Sequence, residues 1–420
     1  MNSRSIDLLV VGGGLAGLVA AAHAARAGLR VRLLEAADEL GGRARTRVFD
    51  GFSVNLGPRA LFRGAAHATL VELGVAFSGR RPPSTGLAIL EDRFHALPAG
   101  PLSVLMTSLV DASGKVEISR FMAWLARAHI AELEARRFGD VLDARVRHPV
   151  VRALVRSLTR VCTYDAEPDD LCAAAATIQM RSAVRDGVLY LDGGWTTLVE
   201  GLASAARGAG ATVDTGMRVA SIERTSSSAF RARTEQGEIE ATAVVLAVQP
   251  SVAARLFPSL APAATRCTPL RVACLDVALA SVPHPKRRFA LGLDAPLYYS
   301  LHSASARLAP DGAGVAHLMR YGDGAPETQA ELRVLLERMQ PGARLVDVRY
   351  LPAMIAANAR VTAASGGLGG RPPVDAEPGV FLAGDWVGDE GMLADAACAS
   401  ARKAAELAAR HLRSARERAA

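Results

Sequence analysis

Two glycine turns at opposite ends of the chain carry most of the groups able to bind or react. Gly12, Gly14 and Gly17 make a G-x-G-x-x-G triplet, and Glu35 follows Gly17 by 18 positions. Glycines at this spacing permit a tight turn, let the backbone approach a pyrophosphate and let a helix pack close to a strand. Leu15 and Ala16 then open a helix whose free N–H groups and positive dipole end face phosphate. Glu35 suits a ribose hydroxyl and disfavours a 2′-phosphate, so the pattern predicts a dinucleotide site that is not for NADP. Ala36 comes next, and Gly41, Gly42 and Arg43 add a second close backbone approach with a cation for phosphate. Gly57 and Pro58 form a further turn, followed directly by Arg59.

The second turn ends the run G-V-F-L-A-G-D-W. Gly384 permits a close backbone pass, and Asp385 can accept from a cofactor hydroxyl. Gly391, Met392 and Leu393 lead into an Ala-rich helix whose first N–H groups favour an electron-rich ring edge. The two turns serve one ligand only if the fold joins them.

The elements around these turns follow from their texture. Ile6 to Val11 is almost wholly apolar and predicts a buried parallel strand. The helix after it stops at Gly28, and Arg30 to Leu34 predicts the next strand. Val188 to Ile222 and Ala243 to Val248 return to this α/β texture, whereas residues 81–185 and 251–350 do not. The length of 420 residues exceeds one ordinary core, so two domains are expected.

VVGGGLAGLVAA, LLEA and ELGGRARTR resemble the flavin-binding start of the amine oxidase, protoporphyrinogen oxidase and phytoene desaturase superfamily. The resemblance implies FAD, with Gly12, Gly14, Gly17, Glu35 and Arg43 on its ADP half and Val219 beside the adenine. It implies that Gly384 and Asp385 hold the ribityl and ring half. The implied fold is α/β: a Rossmann-like, glutathione-reductase-like FAD-binding domain of residues 1–80, 186–250 and 351–420, with a discontinuous α+β substrate domain of residues 81–185 and 251–350.

The expected reaction is hydride transfer from a substrate C–H to flavin N5, for which the protein supplies orientation and electrostatics. Amine-oxidising members usually carry a lysine near N5 in the region matching 265–280, where this chain has Arg271. No S-G-G-C-Y-like tether is present and Cys398 falls inside the last helix, so FAD is expected to be non-covalent. Leu87 to Val110 and GLDAPLYYSLHS resemble the phytoene desaturase branch, whose substrates are long and apolar. An amine or protoporphyrinogen oxidase and a non-enzymatic prenyl-protein escort remain open as alternatives, as does the electron acceptor (oxygen, a quinone or NAD). Tyr298, Tyr299, His302, Trp386 and Arg59 are the candidates for the flavin face. Adjacent strand residues point to opposite faces, so only one of the two tyrosines can line the pocket.

Composition removes other classes. The net charge of +7 comes almost entirely from arginine, and basic pairs are scattered without interleaved aromatics, which argues against nucleic acid. The five cysteines form no C-x-x-C and no cluster with histidine, so reduced thiols, no metal site and a cytoplasmic protein are expected. No signal peptide is apparent, and no apolar run reaches membrane-spanning length. Leu97 to Val110 is either a buried segment or a patch touching membrane, with burial favoured. The final RHLRSARERAA reads as a frayed, solvated helix end.

Overall fold

The computed structural model describes residues 6–83, 85–225 and 229–419. Ile6–Val11 (β1) runs parallel to Val31–Leu34 (β2) on one side and to Gly237–Leu246 on the other. Val380–Leu382 adds in parallel beyond Gly237–Leu246, and Thr212–Asp214 adds beyond β2. Parallel strands need cover on both faces, which is why residues 8–11, residues 243–246 and Val380–Leu382 are apolar and buried. The register matters most here: Val10 pairs with both Leu33 and Val245, and Val245 pairs with Phe381. One intervening strand therefore separates the two strands that deliver the glycine turns. The sheet continues through the antiparallel strands Phe230–Thr234 and Val219–Arg224.

Leu15–Arg26 (α1) is buried along most of its length, with Ala20, Ala21, Ala22 and Ala24 fully enclosed. Such small side chains let it pack tightly against both Thr196–Gly208 and the long C-terminal helix Leu393–Ala419. That last helix does not end as a frayed tail: Leu412 is buried and Arg416 donates to Asp7 Oδ1 at 3.1 Å. Ala420 lies outside the described residues.

A second sheet runs in the order Leu345–Ala357, Leu270–Leu279, Gly314–Tyr321, Leu297–Leu301, Phe289–Gly292, Leu87–Leu90 and Arg93–Ala96. Its strand Leu345–Ala357 crosses position 351, where texture placed a return to the first domain. Pro352 is tolerated because this is an edge strand. One side of the sheet packs on Thr328–Met339 through Leu332, Leu335 and Leu336. The other side packs on helices between residues 112 and 185.

The stretch from Leu97 to Val110 divides. Leu97, Leu109 and Val110 are buried, while Leu102, Leu105 and Met106 on the short helix Pro101–Met106 are 73%, 68% and 74% exposed. Among the described residues, no helix is long and apolar enough to cross a membrane.

Candidate functional site

A cavity of about 530 Å³ is lined by both glycine turns. From the N-terminal turn come Gly12, Gly14, Leu15, Ala16, Glu35, Ala36, Gly41, Gly42 and Arg43; from the C-terminal turn come Gly384, Asp385, Met392 and Leu393. Val219 and Arg59 also line it.

Glycine is required under the first turn for two reasons of space. Gly12 has φ +106°, and a Cβ there would stand 2.4 Å from the Ala247 carbonyl oxygen. A Cβ on Gly17 would stand 1.8 Å from the Gly12 oxygen, so Gly17 packs beneath the turn and does not line the cavity. Gly14 is different. A Cβ on it would meet nothing nearer than the Gly41 oxygen at 4.0 Å, because it faces open space. Gly41 N donates to Gly13 O at 2.8 Å, which brings the second glycine pair beside the first. The result is a backbone cradle free of side chains, of the kind a pyrophosphate enters.

Glu35 is held from both sides. Its Oε2 accepts from Gly13 N at 2.6 Å and its Oε1 from Ala37 N at 2.9 Å. The carboxylate retains acceptor capacity for a ribose hydroxyl.

The two turns also meet chemically. Arg43 Nη1 donates to Asp385 Oδ2 at 2.8 Å across 342 positions of sequence. Asn358 completes the group, its backbone N–H and side-chain amide donating to Asp385 at 3.1 and 2.9 Å. Burial would raise the Asp385 carboxyl, but the Arg43 charge and these hydrogen bonds outweigh it and hold it below its ordinary range. Behind it, Ser400 Oγ accepts from Gly384 N and donates to Gly384 O, each at 3.0 Å.

Arg59 reaches the cavity with its Nε donating to the Leu56 carbonyl at 3.2 Å, and no carboxylate pairs with it among the described residues. Burial pushes its guanidinium below the usual arginine range, while a guanidinium keeps its proton in proteins. Gly57 and Pro58 do not line the cavity but hold Arg59 in place. Gly57 N donates to Asp276 Oδ2 at 3.1 Å, and Pro58 O accepts from Tyr164 Oη at 2.8 Å. Tyr164 itself lines the cavity, and burial raises its phenol to about 12. Gly391 also stands outside the lining; its carbonyl accepts from Arg371 at 3.0 Å.

The structure places four expected flavin-face residues elsewhere. Trp386 is fully buried behind the turn, its indole N–H donating to Val248 O at 3.0 Å. Tyr298 and His302 lie in a closed aromatic group in which the His302 ring stacks on Tyr190 at 3.9 Å. Tyr299 points to the opposite core, where its hydroxyl accepts from Gln340 at 3.1 Å. None of the four lines the cavity. Asn358, Tyr164 and Asp395 line it without any sequence motif to announce them.

A family model described as "Flavin containing amine oxidoreductase" matches residues 15–274. The chain belongs to the flavin-containing amine oxidoreductase family. Its cofactor is accordingly a flavin, and the cradle, Glu35 and the Arg43–Asp385 pair fit FAD. A phytoene dehydrogenase from Streptomyces griseus is 30% identical over 293 residues, covering 60% of this chain. The match spans 55% of that relative's own length, little more than half. An oxidoreductase from Methanosarcina mazei superposes with a TM-score of 0.75 at 16% identity, covering 96% of this chain and 100% of that one. A putative protoporphyrinogen oxidase from Exiguobacterium sp. 255-15 gives 0.71 at 19% identity, covering 97% and 99%. At these identities the two structures establish the fold that this family member shares.

Proposed function

We propose that this protein is an oxidoreductase holding FAD non-covalently, and that it takes hydride from a C–H bond of an apolar substrate, of the polyene or isoprenoid class. The observation that carries the substrate class is the cavity wall around Arg59. The lining that includes Arg59 also includes Leu56, Ala60, Phe62, Tyr164, Met392 and Leu393, and no lysine. Arg271, in the region 265–280 where the resemblance to amine-oxidising members implies a lysine, is turned outward toward Asp323 at 3.6 Å. The likeness to a phytoene dehydrogenase supports the same reading.

FAD supplies the redox chemistry, its ring accepting the hydride. The remaining work falls to the chain. The amides of Leu15 and Ala16 and the Gly14–Gly41 cradle bind phosphate, while Glu35 accepts from the ribose. Asp385 accepts from a ribityl hydroxyl, and Arg43 keeps it ionised while it does so. The first amides of the C-terminal helix would hold the electron-rich edge of the flavin ring, and the apolar wall would keep water from the reacting C–H. Cys398 is fully buried within its helix and burial raises its thiol, so it forms no tether. On this reading the exposed Leu102, Leu105 and Met106 meet the apolar surface from which the substrate arrives.

A second reading draws on Arg59. A cavity-lining cation without an acid partner suits a substrate bearing carboxylates, as a porphyrinogen does. The deciding experiment is anaerobic mixing of the yellow holoprotein with polyenes, small amines or a porphyrinogen while flavin absorbance is followed. Bleaching by polyenes alone supports the proposal; bleaching by the porphyrinogen or amines alone replaces it. A colourless protein that takes up no FAD would point instead to an escort-like binder.

A further inference from the structure

Arg371 is a buried cation that no part of the proposed chemistry uses. It follows the turn Leu368–Gly370 and is 8% exposed. Its guanidinium is held only by backbone oxygens: Nη1 donates to Asp385 O at 3.4 Å, and Nη2 to Glu390 O at 3.2 Å and Gly391 O at 3.0 Å. Its Nε has no partner at all. The nearest buried carboxylate, Asp385, is already engaged by Arg43 and Asn358. Gly388 N donates to Pro372 O at 2.9 Å, which closes the loop 384–391 around the arginine. The far side of that loop is the cavity wall, because Asp385 and Met392 both line it.

The fold thus keeps a positive charge that no carboxylate among the described residues touches, with Asp385 and Asp389 acting on it only through space, one backbone layer from the cavity. Burial lowers the Arg371 pKa to about 10, so the group stays charged at neutral pH. A charge in such a low-dielectric wall acts strongly on its neighbours. On the FAD reading, the start of the C-terminal helix, next to this loop, would hold the electron-rich edge of the ring. Full reduction adds two electrons and one proton to a neutral ring and leaves one negative charge on that edge.

We propose that Arg371 is a positioning and potential-setting residue, which holds the Asp385–Met392 loop and, through its charge, favours the reduced, anionic flavin. The inference rests on the FAD reading above and adds a residue to it. Arg371 touches only the loop and is not itself a catalytic residue.

The test compares FAD-loaded wild type, Arg371→Gln and Arg371→Lys, each reduced by dithionite against a reference dye and followed by absorbance. Affinity for sulfite, which forms a negatively charged adduct with flavin, is measured in parallel. The Gln variant should show a two-electron reduction equilibrium at least tenfold less favourable, a fall of about 30 mV, with a matching loss of sulfite affinity. The Lys variant, which keeps the charge but cannot span three carbonyls, should stay within threefold of wild type. A Gln variant within threefold of wild type overturns the proposal, as does a Lys variant that falls as far as Gln. If the Gln variant does not fold, the Lys variant decides by the same limits. Should neither fold, failure of the wild-type flavin to bind sulfite overturns the proposal. Protein that binds no FAD refutes the flavin reading instead, and is recognised at once because it is colourless.

Discussion

Asp395 shows how one side chain can belong to two structures. It lies in the first turn of the C-terminal helix and lines the cavity, yet its Oδ1 accepts from Ala66 N at 2.7 Å. It therefore caps the helix Ala65–Glu72, whose own N-cap residue is the side-chain-free Gly64. Burial raises its carboxyl to about 6, with only partial relief from that hydrogen bond. The folded state thus binds this proton more tightly than the unfolded chain does. Its stabilising contribution is complete below the unfolded value near pH 4 and is lost as pH rises through about 6. Asp395→Asn keeps the cap acceptor and removes the titration. Between pH 4 and pH 7 the wild type should lose up to about 2–3 kcal/mol relative to this variant, at 1.36 kcal/mol per pKa unit. Denaturant unfolding across that range measures the difference, and a difference that stays flat would remove Asp395 as the source.

At the scale of elements, the strand–turn–helix unit of β1 and α1 separates two uses of glycine. Gly17 has a backbone oxygen where a Cβ would go, whereas Gly14 has open cavity. Gly17→Ala should cost about 3 kcal/mol, because neither the turn nor the helix can move apart without breaking the register of β1. Gly14→Ala should leave the apoprotein's melting unchanged, since its φ of −77° suits alanine. It should nevertheless weaken FAD binding at least tenfold by filling the cradle. Thermal melts of the apoproteins and FAD titrations distinguish the two. Equal losses of stability would mean that Gly14 is structural like Gly17.

Across the described residues, the three most exposed large apolar side chains stand on one short helix, Pro101–Met106. Leu102, Leu105 and Met106 stand out beside Val116, which is 48% exposed on the adjoining helix Ala112–Arg127. Lys115 Nζ donates to the Leu105 carbonyl at 2.7 Å and puts a cation at the edge of this surface. Three such side chains entering a bilayer contribute several kcal/mol, at about 25 cal/mol per Å². The protein should co-sediment with vesicles of phosphatidylcholine and phosphatidylglycerol. The triple change of Leu102, Leu105 and Met106 to Ser should abolish that and leave FAD binding intact. Retained co-sedimentation by the triple variant would move the contact elsewhere.

What could be read without coordinates was local. The glycine spacing, the acid 18 positions beyond it and the apolar strands each depend on short-range backbone geometry, so Gly14, Glu35, Gly41 and Asp385 all line the cavity. The surroundings of those residues were not legible. Asn358 reaches Asp385 from 27 positions away and Arg43 from 342, and no spacing rule encodes such contacts. Tyr298, Tyr299, His302 and Trp386 have the chemistry expected of a flavin face, but composition does not say which way a side chain turns. Only the packing of both sheets and their helices, the first around Trp386 and the second around the two tyrosines, decided that they lie behind the wall, while Tyr164 and Arg59 stand in it. Local backbone rules act over a few residues and are written in the chain; burial is a property of all the layers at once, and exists only after they have packed.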